Sequence, residues 1–267
     1  MKAAILRIEG TNCEEEMLQA FLSVGFEAEH VHLKQLTKDC SAERVRKLFD
    51  YDVLMIPGGW SAGDYVRAGA IFAARMKSKL GIELNEFVNE GRIVGGVCNG
   101  FQILIELGLL PGFKGISKTP QAALANNLKG FQCRPTYITH ASKTPFTEKI
   151  KEGAVLQVPV ANGEGRLTFG SKNQQRLKEL TENDQIVFRY CKPDGSSAKG
   201  EFPWNPSGSL SDIAGICNPE RNVLGMMPHP ERVMENILTS DWTRKPKKEF
   251  GDGRMLFESI VSYVKKQ

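Results

Sequence analysis

The chain has 267 residues, a formal net charge of +4 and 41% hydrophobic residues, the composition of an ordinary water-soluble folded protein. Its basic and acidic residues are interspersed, so no basic run indicates nucleic acid as a partner. No segment is long and apolar enough for a signal-peptide core or a membrane span, so we expect a cytoplasmic protein without membrane contact. Because α/β folds of this length often form one unit around one core, we expect a single domain over residues 1–267.

In chain order, short apolar runs first alternate with helical patterns. Strands are predicted at Ala3 to Ile8, Glu27 to Leu33, Val53 to Ile56 and Ile93 to Val97. Helices are predicted after Thr11 or Asn12 as the cap, after Ser41, and around Leu84 to Asn89. This alternation predicts an α/β fold with a mostly parallel sheet and helices on both faces, in which ligands bind at the carboxyl ends of the strands.

Beyond Pro111 the pattern changes to short β-like runs between Gly, Pro, Asn and Ser turns. The runs lie at Phe131 to Thr139, Ala154 to Val160, Gln185 to Tyr190 and Asn222 to Met227. They predict antiparallel β additions in the C-terminal half. Apolar residues at helical spacing predict a closing helix over Gly251 to Val264.

The cysteines are spread along the chain and none forms a Cys-x-x-Cys pair. They lie at positions 13, 40, 98, 133, 191 and 217. A chain of this size can fold without stabilisation by disulfide bonds or metal ions, and this spacing indicates neither a disulfide framework nor a metal site. Most of the thiols are expected to be buried and inert, so a catalytic role needs local evidence.

Local evidence exists for Cys98, which lies in Gly96-Val97-Cys98-Asn99-Gly100 directly after the fourth strand. Glycines two residues on either side of a nucleophile are typical of a strand-to-helix elbow, because they let neighbouring chains approach the sharp turn. The positive end of the following helix favours a charged sulfur, and the N–H of Asn99 points to where an oxyanion would form. Taken alone, the pattern fits a small buried residue in a tight turn equally well.

The segment Pro57-Gly58-Gly59 ends the preceding strand. Parallel topology would bring this loop beside Cys98 and offer the N–H of Gly59 as a second oxyanion donor. By itself Pro-Gly-Gly is only a turn signal, and its value lies in the combination with the elbow.

Four histidines limit the search for a general base. His229 lies in Pro228-His229-Pro230-Glu231, where proline biases the residue before it towards extended backbone. Residues two apart in an extended segment project to the same side, so Glu231 could orient the ring of His229. A proline-rich surface turn is the alternative interpretation. Together with the elbow, the segment predicts a catalytic triad of Cys98, His229 and Glu231.

Eight segments, in order across almost the whole chain, are similar to class I glutamine amidotransferases and, within them, to the glutaminase subunit of phosphoribosylformylglycinamidine synthase. They are GTNCEEE, PGGWSAGDYVRAGAI, GGVCNGFQIL, NNLKGFQCR, NGEGRL, NPSGSLSDIAGICN, GMMPHPERV and DGRMLFESIV. The Cys-Asn-Gly-Phe-Gln elbow with the Pro-Gly-Gly loop is specific to this branch, whereas Pro-His-Pro-Glu is shared more widely.

The resemblance implies a flavodoxin-like fold and hydrolysis of L-glutamine to glutamate and ammonia through a γ-glutamyl thioester on Cys98. The oxyanion and substrate-binding residues that it implies are Gly58, Gly59, Asn99, Gln102, Asn126 and Phe131. Its implied partners are a large synthetase subunit and a small accessory subunit. The synthetase would use the ammonia to convert formylglycinamide ribonucleotide to formylglycinamidine ribonucleotide in purine biosynthesis.

No cofactor is expected in this chain, and the resemblance places ATP and Mg²⁺ in the synthetase partner. The segment GRLTFGSK, residues 165–172, superficially resembles a phosphate-binding loop. It ends Ser-Lys in place of Lys-Ser or Lys-Thr and does not clearly open a helix, so we reject an ATP site there.

Five positions depart from the pattern of the related proteins without removing a catalytic group. They are Trp60 for phenylalanine, Ala62 for tyrosine, Leu128 for serine, Asn162 for histidine and Ser207 for asparagine. We expect these changes to affect details of the pocket and the partner contacts.

Two other functions remain open from the sequence. A cysteine hydrolase or glyoxalase-like enzyme of related fold usually has histidine directly after the nucleophile, where this chain has Asn99. An inactive amidotransferase-like scaffold subunit would have no need of the intact triad.

Overall fold

The structure, a computed structural model, describes residues 1–244 and 248–267. Its strands are β1 (Lys2–Arg7), β2 (Glu27–His32), β3 (Val53–Ile56), β4 (Ile93–Val97), β5 (Ala123–Ala125), β6 (Gln132–His140), β7 (Val155–Asn162), β8 (Arg166–Thr168), β9 (Ile186–Cys191), β10 (Ile213–Cys217) and β11 (Val223–Met226). Its α-helices are α1 (Glu14–Ser23), α2 (Leu33–Leu36), α3 (Ala70–Asn89), α4 (Asn99–Leu107), α5 (Asn173–Glu182) and α6 (Arg254–Val264). Within the described ranges, no helix is long and apolar enough to cross a membrane.

The main sheet has nine strands in the order β2-β1-β3-β4-β11-β10-β9-β6-β7. The neighbours from β2 to β11 are parallel, whereas β10, β9, β6 and β7 are added antiparallel. The predicted parallel sheet with antiparallel additions is therefore confirmed. We predicted that the Asn222 to Met227 run is one of the antiparallel additions, and this is wrong in part. The run forms β11, which pairs parallel with β4 and antiparallel only with β10.

Helices cover both faces of the sheet, as the strand alternation predicts. A Cβ on Gly225 of β11 would lie 2.1 Å from the ring of Phe101 in α4. The flanking Leu224 and Met226 border a small space with Phe257 of α6. Phe257 makes an edge contact with Phe21 of α1, with ring centroids 5.2 Å apart. Because both faces are covered, β3 and β4 are buried along their whole length.

Two predictions near the first two strands are wrong. Helix α1 begins after Cys13 and has no side-chain cap from Thr11 or Asn12. Instead, the Thr11 hydroxyl accepts from the N–H of Ile8 at 3.2 Å, and the N–H of Asn12 donates to the carbonyl of Gly58 at 3.2 Å. The second contact ties the segment to the Pro-Gly-Gly loop. The helix predicted after Ser41 is only a 3₁₀ turn, Ala42–Arg44, with no buried residue to hold a longer helix.

Three elements exceed the predictions. Helix α3 has 20 residues, far more than the Leu84 to Asn89 segment predicted. Helix α5 begins at Asn173, directly after GRLTFGSK, so the expectation that this segment opens no helix is wrong. Only Leu180 of α5 is buried, which explains its weak apolar pattern. Strand β10 was not predicted, although it is a fully buried run between two neighbouring strands.

Candidate active site

Cys98 occupies the turn between β4 and α4 with φ 53° and ψ −108°. Such a positive φ is uncommon for a residue with a Cβ and costs on the order of 1–3 kcal/mol, so its neighbours must hold it. The N–H of Cys98 donates to the carbonyl of Met226 on β11 at 2.8 Å. The turn directs Cys98 into the wall of a cavity. The predicted elbow geometry is therefore confirmed.

The glycines around Cys98 allow α4 to lie directly on the sheet. A Cβ on Gly100 would be 1.9 Å from the carbonyl oxygen of Ile56, and one on Gly96 would be 2.6 Å from the carbonyl carbon of Gly100. No side chain fits at either position. The close packing places the start of α4 directly after Cys98, where the N–H of Asn99 has no acceptor within the helix.

His229 and Glu231 form a buried pair. The Nδ1 atom of His229 is 2.6 Å from Oε1 of Glu231, and both side chains are almost completely inaccessible to solvent. The predicted contact is present, but its predicted backbone is wrong: Pro230 to Arg232 form a 3₁₀ turn and not an extended segment. The N–H of His229 donates to the carbonyl of Pro159 at 2.8 Å, which fixes the start of this turn.

The environment of His229 favours its charged form. Burial lowers the pKa of His229, but the Glu231 carboxylate and the sulfur atoms of Cys98 and Cys13 raise it, and the net pKa is well above the ordinary value. The arrangement therefore favours the imidazolium form of His229, with Glu231 as its counter-ion. Among the described residues, its buried Nε2 has no hydrogen-bond partner of normal geometry, and it lies beside the two sulfur atoms. This nitrogen is placed to give a proton to, or take one from, a group bound at Cys98.

Gly58 leaves the space in which these side chains meet. A Cβ at Gly58 would lie 2.7 Å from Cε1 of His229, 3.2 Å from Sγ of Cys13 and 3.3 Å from Cβ of Cys98. Cys13 had no predicted role, yet its sulfur accepts from Nη2 of Arg232 at 3.0 Å in the wall of the cavity. The only sequence signal for it is its place in the GTNCEEE segment.

One group of metal-binding side-chain types occurs in the described part of the chain. The ligand atoms of Cys13, His229 and Glu231 lie within 4.8 Å of one another. Because Glu231 already holds Nδ1 of His229 at 2.6 Å, its carboxylate is engaged in orienting the ring. We therefore assign this group to the same site as Cys98.

Cys98 and His229 border a cavity of about 520 Å³, large enough for an amino-acid substrate. Other residues in its wall include Gly59, Trp60, Asp64, Gln102, Phe131, Asn162, Glu164 and Arg232. Gly59 has φ +144°, and a Cβ there would lie 2.6 Å from the backbone nitrogen of Asn12. Glycine is therefore required at the point where the Pro-Gly-Gly loop meets the cavity.

A hydrogen-bond network fixes the cavity wall next to Cys98. Oδ1 of Asn99 accepts from the Ser61 hydroxyl at 2.5 Å. Nδ2 of Asn99 donates to Oε1 of Gln102 at 2.9 Å and to Oδ1 of Asp64 at 3.1 Å. Nε2 of Gln102 donates to the carbonyl of Glu164 at 2.7 Å. Both polar atoms of Gln102 are thus engaged within the protein, so this residue shapes the wall.

The predicted Asn126 to Phe131 segment contributes unequally. Phe131 borders the cavity and stacks on Trp60, with ring centroids 6.4 Å apart. Asn126 is exposed and lies outside the cavity wall. Its buried neighbour Asn127 supports the wall instead, because its Nδ2 donates to the carbonyl of Asn162 at 2.8 Å and its Oδ1 accepts from the N–H of Gly165 at 2.9 Å.

Of the five departures from the pattern of the related proteins, Trp60 and Asn162 lie in the cavity wall, and none belongs to the triad. Oδ1 of Asn162 accepts from Asn127 at 3.0 Å, so it takes part in the wall. Leu128 is exposed and packs over Gly208, where a Cβ would lie 2.4 Å from Cδ1 of Leu128. Trp60 widens the aromatic surface at the mouth of the cavity.

Comparisons with known proteins identify the family of the chain. Residues 1–264 match the family described as the CobB/CobQ-like glutamine amidotransferase domain. The chain is 48% identical to phosphoribosylformylglycinamidine synthase subunit PurQ of Archaeoglobus fulgidus, over 100% of this chain and 98% of the relative. Identity to the same subunit of Picrophilus torridus is 46%, over 98% of each chain.

Among solved structures, a chain of PurLQS from Thermotoga maritima matches with a TM-score of 0.73 and 32% identity, over 98% of each chain. The sequence relationship therefore extends from end to end and coincides with a shared fold. The chain belongs to the CobB/CobQ-like glutamine amidotransferases and, within them, to the family of phosphoribosylformylglycinamidine synthase subunit PurQ.

Proposed function

We propose that this chain is the glutaminase subunit of phosphoribosylformylglycinamidine synthase and hydrolyses L-glutamine to glutamate and ammonia. The observation that carries the proposal is the meeting of Cys98, at a strained elbow, with the buried His229–Glu231 pair at one cavity. The relatives that share the whole length of the chain are named as subunits of this synthase.

The first half of the reaction forms a thioester. The Cys98 sulfur attacks the side-chain carboxamide carbon of glutamine, and the N–H groups of Asn99 and Gly59 are the proposed donors to the oxyanion. The imidazolium of His229 gives its Nε2 proton to the nitrogen of the breaking C–N bond. Ammonia leaves, and the γ-glutamyl group remains on Cys98.

The second half of the reaction frees the enzyme. Neutral His229 takes a proton from water, whose oxygen attacks the thioester carbon. The C–S bond breaks, glutamate leaves, and the sulfur of Cys98 and the proton on His229 are ready for the next cycle. Glu231 stabilises the imidazolium at both ends of the cycle through the Nδ1 hydrogen bond.

The ammonia is proposed to pass to the large synthetase subunit, with a small accessory subunit in the same assembly. The solved relative carries the name of such an assembly, PurLQS. ATP and Mg²⁺ are assigned to the synthetase, and no cofactor to this chain. Its six cysteines are free thiols, which suits the reducing cytoplasm as the proposed compartment.

Covalent labelling tests the proposed nucleophile. A diazoketone analogue of L-glutamine is expected to add once to the chain, at Cys98, and glutamine is expected to slow the addition. Peptide mapping by mass spectrometry locates the adduct. Cys133→Ala is the matched control, because Cys133 is an exposed thiol at the same cavity.

We expect Cys98→Ala to abolish labelling and Cys133→Ala to leave it unchanged. An adduct that persists in Cys98→Ala would assign the chemistry to another thiol. A chain that takes up no label would instead fit an inactive scaffold subunit.

A further inference from the structure

A second cavity, with a volume of about 300 Å³, lies at the carboxyl ends of β1 and β2, beside α3. Ile8 and Glu9 follow β1 and border this cavity, as do Leu33 and Lys34, which follow β2. In an open α/β sheet, the crevice outside the carboxyl ends of the strands is the usual place for a ligand. None of the described residues at the border of this cavity also borders the cavity with Cys98, so the two are separate.

The charged side chains around the second cavity carry an excess of one positive charge, three cations against two carboxylates. They are Lys34, Arg75 and Lys79 against Glu9 and Asp39. Arg75 donates to Oε1 of Glu9 at 2.5 Å, and Lys79 donates to Asp39. Both pairs are about half exposed, and pairs of this kind are weak enough to exchange one partner for a ligand. The ammonium group of Lys34 forms no ion pair within the described part of the chain, so it is available to an anion.

The ring of His32, at the border of the same cavity, senses this positive charge. Burial lowers the pKa of His32, and the charges of Lys34 and Arg7 lower it further, whereas Glu9 raises it. The surroundings therefore favour the neutral ring. Because Nδ1 of His32 accepts from the N–H of Lys34 at 3.1 Å, the proton of the neutral ring lies on Nε2. This nitrogen is one more hydrogen-bond donor beside the cations.

The size and the apolar part of the cavity limit the kind of anion. At about 30 Å³ for each water-sized group, the cavity accommodates roughly ten non-hydrogen atoms. Ile8 and Leu33 form an apolar part of its border and are each only 5% exposed. One excess positive charge beside an apolar surface fits a monoanion with an apolar body, such as an aryl carboxylate. A phosphate monoester, with nearly two negative charges, would leave the site with a net negative charge.

The segment that borders this cavity is also joined to the loop that carries Gly59. The carbonyl of Glu9 accepts from the N–H of Ala62 at 2.8 Å, and the carbonyl of Gly10 accepts from the N–H of Trp60 at 2.8 Å. A Cβ on Gly10 would lie 2.3 Å from the carbonyl oxygen of Trp60, so the two backbones are in direct contact. Trp60 directly follows Gly59. A displacement of Glu9 is therefore passed to the proposed oxyanion donor.

We propose that this second cavity binds a small organic carboxylate, and that the bound anion lowers glutaminase activity by drawing Arg75 away from Glu9. The carboxylate group pairs with Lys34 and Arg75, and the apolar part of the ligand packs against Ile8. The effect on activity rests on the proposed glutaminase function, whereas the binding does not. A ligand of about ten non-hydrogen atoms is expected to bind with a Kd on the order of 1 mM.

Binding is tested by fluorine NMR titration of the whole chain with 4-fluorophenylacetate as the probe. The corresponding alcohol, 2-(4-fluorophenyl)ethanol, has the same ring and no charge. Lys34→Met removes the unpaired cation and keeps a long unbranched side chain. Lys178→Met is the matched control, because Lys178 is an exposed lysine on α5 outside this cavity.

We expect saturable binding of the carboxylate to wild type and to Lys178→Met, with a Kd about tenfold or more higher in Lys34→Met. The alcohol is expected to show no saturable binding. Absence of saturable binding of the carboxylate, equal binding of the alcohol, or an unchanged Kd in Lys34→Met would overturn the proposed site.

The effect on activity is tested in the complex with the synthetase, by ammonia release from L-glutamine at increasing concentrations of 4-fluorophenylacetate. We expect kcat/KM to fall by about fivefold at saturation, with half of the effect at the Kd measured by NMR. In Lys34→Met the concentration for half of the effect is expected to rise about tenfold, as the Kd does.

Binding without a change in kcat/KM would overturn the proposed effect on activity. A loss of activity with the same concentration dependence in wild type and Lys34→Met would overturn it too, because the probe would then act elsewhere. Either result leaves the proposed function intact. A wild-type complex that releases no ammonia from L-glutamine without the probe would remove the proposed function and leave the binding result standing.

Discussion

At the scale of single residues, the steric needs of Cys98 explain why the elbow is readable from sequence. Gly96 and Gly100 face backbone atoms at distances that admit no Cβ, and both lie within two residues of Cys98. Because the steric requirement concerns residues next to Cys98, it appears in the sequence as a short glycine pattern around the cysteine. Pro-His-Pro-Glu is readable for a similar reason, since His229 and Glu231 meet within one turn.

Other residues of the site could not be found in this way. Asp64 and Cys13 line the cavity, and Asn127 supports its wall, only because loops far apart in sequence meet there. Each lies in a segment that resembles the family, but no local steric pattern around it indicates what the residue does in the site. The choice of Asn126 over Asn127 illustrates the limit, because adjacent asparagines differ only in which one faces Asn162.

Glu231→Gln tests the charge that holds His229. We expect kcat for glutamine hydrolysis to fall by about 10²- to 10⁴-fold, because the imidazolium loses its counter-ion while the side-chain shape is kept. Steady-state ammonia release with the synthetase present measures the change. Glu258→Gln, on α6 and outside the cavity wall, serves as control. Wild-type turnover in Glu231→Gln would show that the carboxylate does not act in catalysis.

The effect of Glu231→Gln on the unfolding free energy is expected to depend on pH. The folded-state pKa of His229 is raised above its ordinary value of 6.5. A histidine with a raised pKa contributes its full stabilisation at pH values below its pKa in the unfolded chain. This stabilisation is lost as the pH rises through its pKa in the folded protein. The wild type should therefore exceed Glu231→Gln in unfolding free energy most clearly near pH 6, and the difference should shrink as pH rises. Urea unfolding at several pH values measures it, and a gap that widens with pH would contradict this assignment.

At the scale of elements, the buried strands were the easiest to predict. β3 and β4 are apolar or glycine throughout because helices cover both faces, and each runs directly into the site, β3 into Pro57 and β4 into Cys98. Helix α5 was missed because a helix with one buried residue has little apolar periodicity. The segment after Ser41 forms only a short turn, because helical propensity without a buried face does not stabilise a helix.

Two helical glycines offer a matched test of how α4 packs. Gly100→Ala would place a Cβ 1.9 Å from the Ile56 carbonyl oxygen, whereas a Cβ at Gly81 in α3 would have no atom within 4 Å. We expect Gly100→Ala to lower the unfolding free energy by roughly 1–3 kcal/mol or more and to abolish activity. Gly81→Ala should raise it by up to about 1 kcal/mol. Equal effects in urea unfolding would contradict the close approach of α4 to the sheet.

At the scale of the whole molecule, the strand order assembles the site. The carboxyl ends of β3, β4 and β11 deliver Gly59, Cys98 and His229 to one edge of the sheet. The antiparallel strand β7 then supplies the opposite wall through Asn162 and the following Glu164. The sequence predicted the parallel core, but the pairing of β11 between β4 and β10 depends on contacts far apart along the chain.

We expect the free chain to hydrolyse glutamine slowly and the complex to be faster by about tenfold or more in kcat/KM. The aromatic side chains at the mouth of the cavity are largely exposed, Trp60 by 51% and Phe131 by 54%, so a partner can reshape the entrance. Ammonia release with and without the synthetase measures the ratio. Cys98→Ala controls for hydrolysis by the partner, and full activity of the free chain, unchanged by partner and ligands, would contradict the expectation.

The central claim is that Cys98 releases from glutamine the ammonia that the synthetase consumes. Its most direct test is synthesis of formylglycinamidine ribonucleotide by the synthetase, ATP and substrate with wild type or Cys98→Ala, using either glutamine or ammonia. We predict that the variant loses synthesis from glutamine and keeps synthesis from ammonia. Glutamine-dependent synthesis that survives in Cys98→Ala would contradict the claim.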